Sequence, residues 1–400
     1  MNGAGARIIP ANGNPDPPAL AKTAPVALAI IAAMSRPNQV EISRSALAHN
    51  LAVARQHAPH ARVMGAIKAN AYGHGAPLVA SILAEAGIDA FAVASIDEAE
   101  ELYPLQLQPR CTVLAGPFSA AEIPLAAAHG HRLVLQNFAQ LHWLRESRWQ
   151  QPLEIFLKFD SGMHRLGFAL TDLAQVFTLM QDKLGGPVRV LGLLSHLARA
   201  DTPDDPYNTQ QINAFHSACT EFGAHTLGEH SLPNSAAILA LPQAHTPWIR
   251  PGLLLYGLAP LQGRRALDLG LQPVLRWQTR IIAVRELEAG DWLGYGASWQ
   301  AQRRCRVGVI ACGYGDGLDR RLGLLEAPVL VRGQPSHLLA RVSMDLAFVA
   351  LDGIPAELGD AVQILGGHDL PLEDCAQALD TISYEVGTRI ARRVARIVVP

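Results

Sequence analysis

The feature that most constrains this chain is an eightfold alternation of strand-like and helix-like segments between Val63 and Arg250. Short apolar runs bounded by turn residues mark strands at Val63–Ile67, Ala90–Ala94, Thr112–Ala115, Arg132–Leu135, Leu153–Phe159, Val188–Ser195, Thr226–Leu232 and Trp248–Arg250. Amphipathic stretches lie between them at Ala76–Ala86, Asp97–Leu105, Ala120–Ala128, Phe138–Glu146, Leu173–Leu184 and Gln210–Phe222. Parallel neighbours need a long crossover, so this alternation builds a parallel sheet. Eight repeats close it into an α/β fold, a (β/α)8 TIM-type barrel of roughly 250 residues. A strand at Val40–Ile42 and a helix at Ser45–Gln56 precede the alternation.

After Arg265 the texture changes. Strands are expected at Val274–Leu287, Arg306–Ala311, Val329–Arg332, Leu338–Val342, Ala347–Leu351 and Ala361–Leu365, joined by Gly-, Asp- and Pro-rich turns. Only Leu372–Leu379 and Val386–Val394 have helical spacing. The expected division is a disordered N-terminal extension (1–36), the barrel (37–268) and a mainly β C-terminal domain (269–400).

Hydrophobic residues make up 49% of the 400 and charged residues 17%, which describes a folded chain rather than a disordered one. A net charge of -2 gives no basic surplus for nucleic acid or an anionic membrane. No apolar run reaches the length of a membrane span. Val26–Ala33 is apolar with Arg7 and Lys22 upstream, as in a secretory leader, but a long Pro-, Gly- and Asn-rich stretch precedes it and no small-residue cleavage site follows. An extension ahead of a domain starting near Met34 accounts for it better. Five scattered cysteines without a C-x-x-C pair fit reduced thiols and a cytoplasmic protein. His129-Gly130-His131 has metal-ligand residue types but no acidic third ligand near it in sequence, so no metal is expected. Arg392, Arg393 and Arg396 read as a solvated face.

In such a barrel, chemistry sits at the C-terminal ends of the strands. Those ends carry Lys68, then Lys158 to Arg165, Ser195-His196, Pro233-Asn234-Ser235-Ala236, and Arg250-Pro251-Gly252. Each alone is weak: a strand-end lysine can snorkel to water, and an arginine there is usually an ion-pair partner. Lys68 beside the Gly-rich loop containing Tyr72 also suits a pyridoxal phosphate Schiff base. Asn234-Ser235 reads as a helix N-cap, which is also where a phosphate binds. Tyr295 and Tyr314, in Gly-flanked turns, read from the residues alone as packing residues.

Taken together these motifs resemble the alanine racemase family, pyridoxal phosphate enzymes of fold type III. The markers are Lys68–Gly75 (KANAYGHG), Lys158–Gly167 (KFDSGMHRLG), Ser195-His196, Asn234–Ala237, Arg250–Gly257 (RPGLLLYG), Gly294–Ala297, Gly313–Gly317, Met344-Asp345 and Ser383–Glu385. The resemblance runs from about Val40 to the C-terminus. It implies an isomerase that interconverts L- and D-alanine on pyridoxal 5'-phosphate and supplies D-alanine for peptidoglycan. By that resemblance Lys68 holds the cofactor and is one of two bases. Tyr295 is the other, given across a homodimer interface. Tyr72, Ser235, Tyr384 and the backbone of Gly252 and Leu253 hold the phosphate, with Asn234 beside them. His196 packs on the pyridine ring and Arg250 faces its nitrogen. Arg165 meets the phenolic oxygen and the substrate carboxylate, Tyr314 and Met344 lie at the substrate entrance, and Lys158 matches a position carbamylated in many members.

The chemistry is coherent with those roles. Racemisation removes a proton from one face and returns it on the other, so two opposed bases are expected. Lysine and tyrosine have reference pKa values of about 10, and neighbouring cations favour their basic forms. A racemase of broader specificity, for instance toward serine, and a non-catalytic pyridoxal phosphate carrier remain rivals. A carrier built from the barrel alone would end near Arg265. Arg250 stands where a decarboxylase of the same fold type would be expected to have a carboxylate.

Overall fold

A computed structural model describes residues 36–400. The expected N-terminal extension therefore lies, up to residue 35, outside the described residues. The described chain opens with strand β1 (Asn38–Ser43) and helix α1 (Arg44–His57), capped by Ser43 Oγ accepting from Ala46 N at 3.2 Å. There follow β2 (Arg62–Ala66), α2 (Ala76–Glu85), β3 (Ala90–Val93), α3 (Ile96–Leu102), β4 (Arg110–Val113), α4 (Glu122–His129), β5 (Arg132–Leu135) and α5 (Phe138–Glu146). Then come β6 (Leu153–Lys158), α6 (Leu173–Gln181), β7 (Val188–Leu194), α7 (Pro206–Phe222), β8 (Ser231–Asn234), α8 (Ser235–Ala240) and β9 (Trp248–Arg250). Strands β2 to β9 form a closed parallel barrel, with β9 returning to β2 through Arg62 opposite Trp248 and Val63 opposite Ile249. Helices outside and side chains inside bury both faces of each strand, which is why β3 and most of β5 are continuous buried apolar runs.

The second domain contains β10 (Leu275–Leu287), β11 (Trp292–Leu293), β12 (Trp299–Gln300), β13 (Cys305–Ile310), β14 (Pro328–Val331), β15 (Gln334–Leu339), β16 (Ala347–Ala350) and β17 (Ala361–Gly366). Helices α9 (Leu372–Ala378) and α10 (Ser383–Thr388) and strand β18 (Ala395–Val399) complete the chain. One sheet runs β13-β16-β15-β14-β17-β10-β1-β18, and β10 also pairs with β13. Register shifts at Trp277/Gln278 and Ile281/Ala283 bend β10. Its first half thus pairs with β1 and β17, and its second half with β13. The Val40–Ile42 strand belongs to this sheet: β1 pairs antiparallel with β10 and parallel with β18.

Four expectations need correction. The seventh barrel strand is Ser231–Asn234 rather than Thr226–Leu232, because Thr226 Oγ1 accepts from Gly228 N at 3.1 Å and Gly228 turns the chain at φ 74. Leu338–Val342 is displaced to Gln334–Leu339, since Ala340 is left-handed at φ 54 and ends the strand. Val386–Val394 is not one helix. Val386, Ile390 and Val394 are all buried, but the four-residue spacing comes from a short helix followed by turns closed by Ile390 N to Gly387 O and Val394 N to Ala391 O. The C-terminal arginines are a solvated face only in part: Arg392 and Arg393 are exposed, paired with Glu101 and with Asp316 and Asp345, but Arg396 is half-buried and binds backbone carbonyls. The N-terminal part of α7 was also hidden, although Asp205 Oδ1 accepting from Tyr207 N ahead of Pro206 is a recognisable start signal.

Candidate active site

The chain leaves β2 through a tight left-handed turn. Ala69, Asn70, Ala71 and Tyr72 have φ of 50, 55, 53 and 54. Left-handed backbone costs an L-residue roughly 1–2 kcal/mol, so four in succession need outside support. Glu98 on α3 supplies part of it, its Oε1 accepting from Ala69 N at 2.8 Å and its Oε2 from Ala94 N at 2.6 Å. Asn70 Oδ1 accepts from Ala76 N at 2.8 Å. Gly73 then lies so close to α10 that a Cβ there would sit 1.9 Å from Gly387 O. Lys68 is thus the first residue of a clamped turn at the barrel's C-terminal rim. Behind it Tyr384, Tyr72, Tyr256 and His74 form a row of rings with successive centroid separations of 5.5, 4.9 and 4.4 Å.

The rim encloses a cleft of about 500 Å³. Lys68 and Tyr72 enter it from the turn after β2, Lys158 from the end of β6, and Arg165 from the loop beyond. His196 follows β7, Asn234 and Ser235 join β8 to α8, Arg250 and Gly252 end β9, and Tyr384 arrives from α10. Ten residues singled out in the sequence therefore share one cavity. Leu166, inside the Lys158–Gly167 motif but given no role by it, and Ile382, which carries no sequence signal, also line it.

One pole of the cleft is built on hydroxyls. Ser235 Oγ accepts from Gly252 N at 2.8 Å and from Leu254 N at 3.3 Å. A Cβ at Gly252 would meet Tyr72 Oη at 2.6 Å, so only glycine allows the phenol to sit there. Leu253 is buried behind Gly252 and does not line the cavity. Burial pushes the Tyr72 phenol well up, and neighbouring Tyr384 adds to the shift; Tyr384 itself rises to about 12, mainly by burial. Both phenols are therefore O–H donors at neutral pH.

The other pole is cationic. Arg250 is buried, and its donors reach Ser231 Oγ, Ser195 O at 2.6 Å, Leu232 O at 3.1 Å and His196 Nδ1 at 3.4 Å. Ser231 and Ser195 thus aim the guanidinium, and nothing in the sequence marked Ser231 for that task. Burial lowers the Arg250 pKa to about 9, which still leaves it charged at neutral pH. Burial, then Arg165 and Arg250, holds the Lys158 amine down to about 8. Burial and Arg165 lower Lys68 as well, against a smaller raising effect of Glu98. Burial and then Arg250 keep His196 well below the usual histidine range, so its imidazole is neutral. Among the described residues, no Asp or Glu lines the cleft.

Three expected residues lie elsewhere on the same chain. Tyr295, Tyr314 and Met344 are 69%, 42% and 54% exposed and do not line the cavity. They gather around the loop 340–346: Tyr314 N donates to Ser343 O at 2.9 Å, Gly315 N to Met344 O at 2.8 Å, and Arg341 N to Ser298 Oγ at 3.1 Å just beyond the Tyr295 turn.

The chain matches known proteins along nearly all of its described length. The alanine racemase N-terminal domain family matches residues 42–260, and the alanine racemase C-terminal domain family matches residues 274–398. Alanine racemase of Acidithiobacillus ferrooxidans is 53% identical over 363 residues, covering 91% of this chain and 99% of that protein. The biosynthetic alanine racemase of Pseudomonas aeruginosa is 40% identical over 364 residues, covering 90% and 99%. Its crystal structure superposes with a TM-score of 0.82 at 38% identity, over 92% of this chain and 100% of that one. Alanine racemase from D-cycloserine producing Streptomyces lavendulae superposes with a TM-score of 0.83 at 29% identity, over 92% and 98%. An eight-stranded barrel with a lysine-bearing rim, followed by a β domain, is matched in both halves by one family, and this chain belongs to the alanine racemases.

Proposed function

We propose that this chain interconverts L- and D-alanine with pyridoxal 5'-phosphate as cofactor, acts as a homodimer in the cytoplasm, and supplies D-alanine for peptidoglycan. The observation that carries the reading is the charge of the cleft: Lys68, Lys158, Arg165 and Arg250 converge on a wall to which no described Asp or Glu contributes. Crowded cations of this kind are unfavourable unless anions join them. A phosphorylated cofactor and an amino acid carboxylate are such anions.

The residues present fit the cofactor. Ser235, Tyr72, Tyr384 and the backbone at Gly252 and Leu253 would hold its phosphate, with Asn234 alongside, in a hollow that a Cβ at Gly252 would fill. His196 would lie against its ring and Arg250 would face the ring nitrogen. When bound, the group supplies an aldehyde carbon for an amine and a ring that withdraws electrons from the substrate's α-carbon. Arg250 has only donors to offer, so it would leave the atom it faces an acceptor and would limit electron withdrawal and with it transamination.

Lys68, whose pKa is lowered, is the covalent anchor, and its Nζ moves the α-proton on one face. Tyr295 of the partner subunit moves it on the other, which agrees with its exposure and its distance from its own chain's cleft. Arg165, without an ion-pair partner among the described residues, is available to the substrate carboxylate. Tyr314 and Met344 border the entrance by the same shared arrangement. Lys158, lowered to about 8, holds enough free amine near neutral pH to take up carbon dioxide as a carbamate. For the compartment, Cys111, Cys219, Cys305 and Cys375 are free thiols, as suits a reducing one.

The test is to incubate the purified, cofactor-loaded protein with L-alanine in D₂O. D-alanine deuterated at the α-carbon is the expected product. Pyruvate or carbon dioxide in its place would overturn the assignment.

A further inference from the structure

At the opposite rim of the barrel a second group of chemistry-bearing side chains converges. His129 ends α4 and His131 precedes β5, with Gly130 between them at φ 72. That turn brings the two rings to a centroid separation of 6.1 Å, nearly perpendicular. The acidic partner absent from the local sequence comes from α3: Glu100 Oε1 lies 2.8 Å from His129 Nδ1 and 2.9 Å from His131 Nε2. Tyr103 stacks on the His129 ring at 3.7 Å and fixes its plane. Among the described residues this is the one group of three potential metal ligands whose donor atoms all lie within 4.8 Å of one another.

We infer that Glu100, His129 and His131 form a binding site for one borderline divalent cation of the zinc, cobalt or nickel type. Two imidazoles and a carboxylate are the donor set such ions prefer. Bonds of about 2.0–2.2 Å at tetrahedral angles set ligand atoms roughly 3.3 Å apart. The present 2.8 and 2.9 Å contacts need to open by only a few tenths of an ångström, and Glu100, a quarter exposed, can make that movement. Water would have access to a fourth coordination position, because His129 and His131 line a cleft of about 540 Å³ together with Cys111 and Arg110.

The competing account is a carboxylate that merely accepts two imidazole N–H bonds. The two accounts differ in what happens when metal is offered. The cation would pin α3 to the α4–β5 turn, and α3 is the helix whose Glu98 supports the Lys68 turn. At the N-terminal rim of a barrel such a link serves stability rather than chemistry.

The experiment uses the cofactor-loaded protein after chelator treatment and dialysis, titrated with ZnCl₂ by calorimetry in excess Mg²⁺. One Zn²⁺ per chain is expected, together with a rise in Tm. CoCl₂ should give visible bands of a low-coordinate site beyond the cofactor's absorption. Losing an outer partner of a metal site costs about 10–100-fold in affinity, so Glu100→Gln, which keeps shape and hydrogen bonding, should cost at least about 100-fold. His129→Gln, at a half-buried helix end, should do the same and carries the test if the first variant fails to fold. Zinc uptake undiminished in the folded variants, or none by the parent chain, overturns the inference. Because the readout is metal uptake, it is independent of whether the Lys68 cleft racemises alanine.

Discussion

Arg396 donates to the carbonyl of Gly73 from Nε at 3.1 Å and from Nη2 at 2.8 Å, tying the last strand to the turn that follows Lys68. The same guanidinium reaches Ile390 O, Ala391 O and Val394 O at 2.6–2.8 Å. Four carbonyls therefore depend on one side chain that is far from Lys68 in sequence. Arg396→Met should destabilise the protein by about 2–4 kcal/mol, since several charge-assisted bonds are lost together. It should also weaken cofactor retention by loosening the left-handed turn. A Tm unchanged within error would show that the turn needs no such clamp.

Gly252→Ala addresses the hydroxyl pole. The added methyl would approach Tyr72 Oη to 2.6 Å, so the phenol must move. Cofactor affinity, measured by spectroscopic titration, should fall at least about tenfold, a change of about 1.4 kcal/mol, with circular dichroism unaltered. Parent-like affinity would remove Tyr72 and Gly252 from the phosphate site.

Shared sites can be tested by mixing inactive proteins. Lys68→Ala and Tyr295→Phe should each lose racemase activity by at least about 100-fold. If the tyrosine crosses between subunits, a heterodimer of the two variants regains one intact site of its two. Half of randomly reassorted dimers are mixed, so activity should return to about a quarter of the parent value. No recovery after verified subunit exchange would mean that both bases come from one chain.

Lys158 gives a pH prediction with a definite sign. Its folded pKa of about 8 lies below the unfolded value of about 10.4. Between those values the unfolded chain holds a proton that the folded one lacks, so stability rises with pH through that window. Below about pH 8 the full cost of a buried charge is present. Lys158→Met should therefore stabilise the cofactor-free protein on the order of 2 kcal/mol near pH 7, with the gain shrinking toward about pH 10. Urea denaturation at both pH values checks this, and an equal gain at each would contradict it.

The sequence disclosed the barrel because each parallel strand is buried on both faces, which leaves apolar runs such as Leu133-Val134-Leu135 that stand out between helices. It disclosed the cleft because Lys68, Lys158, His196 and Arg250 all follow directly from strand ends. Support from a distance was not legible. Glu98 and Arg396 reach the Lys68 turn from 29 and 323 positions away, and Glu100 meets His131 across 31. Ser231 is a small polar residue in a strand until Arg250 is seen pointing at it. Periodicity also misled at Val386, Ile390 and Val394, where successive turns reproduce helical spacing.

The pairing of β1 with β18 has a consequence for how the protein is made. Strands β2 to β9 need nothing beyond Arg250 to complete their ladder, whereas Asn38–Ser43 waits for residues translated more than 350 positions later. Until β10 is made this early segment has both edges open, and from then until β18 follows it has one. Removing Ala395–Pro400 would leave that edge open for good, so damage at the tail would be felt at the head.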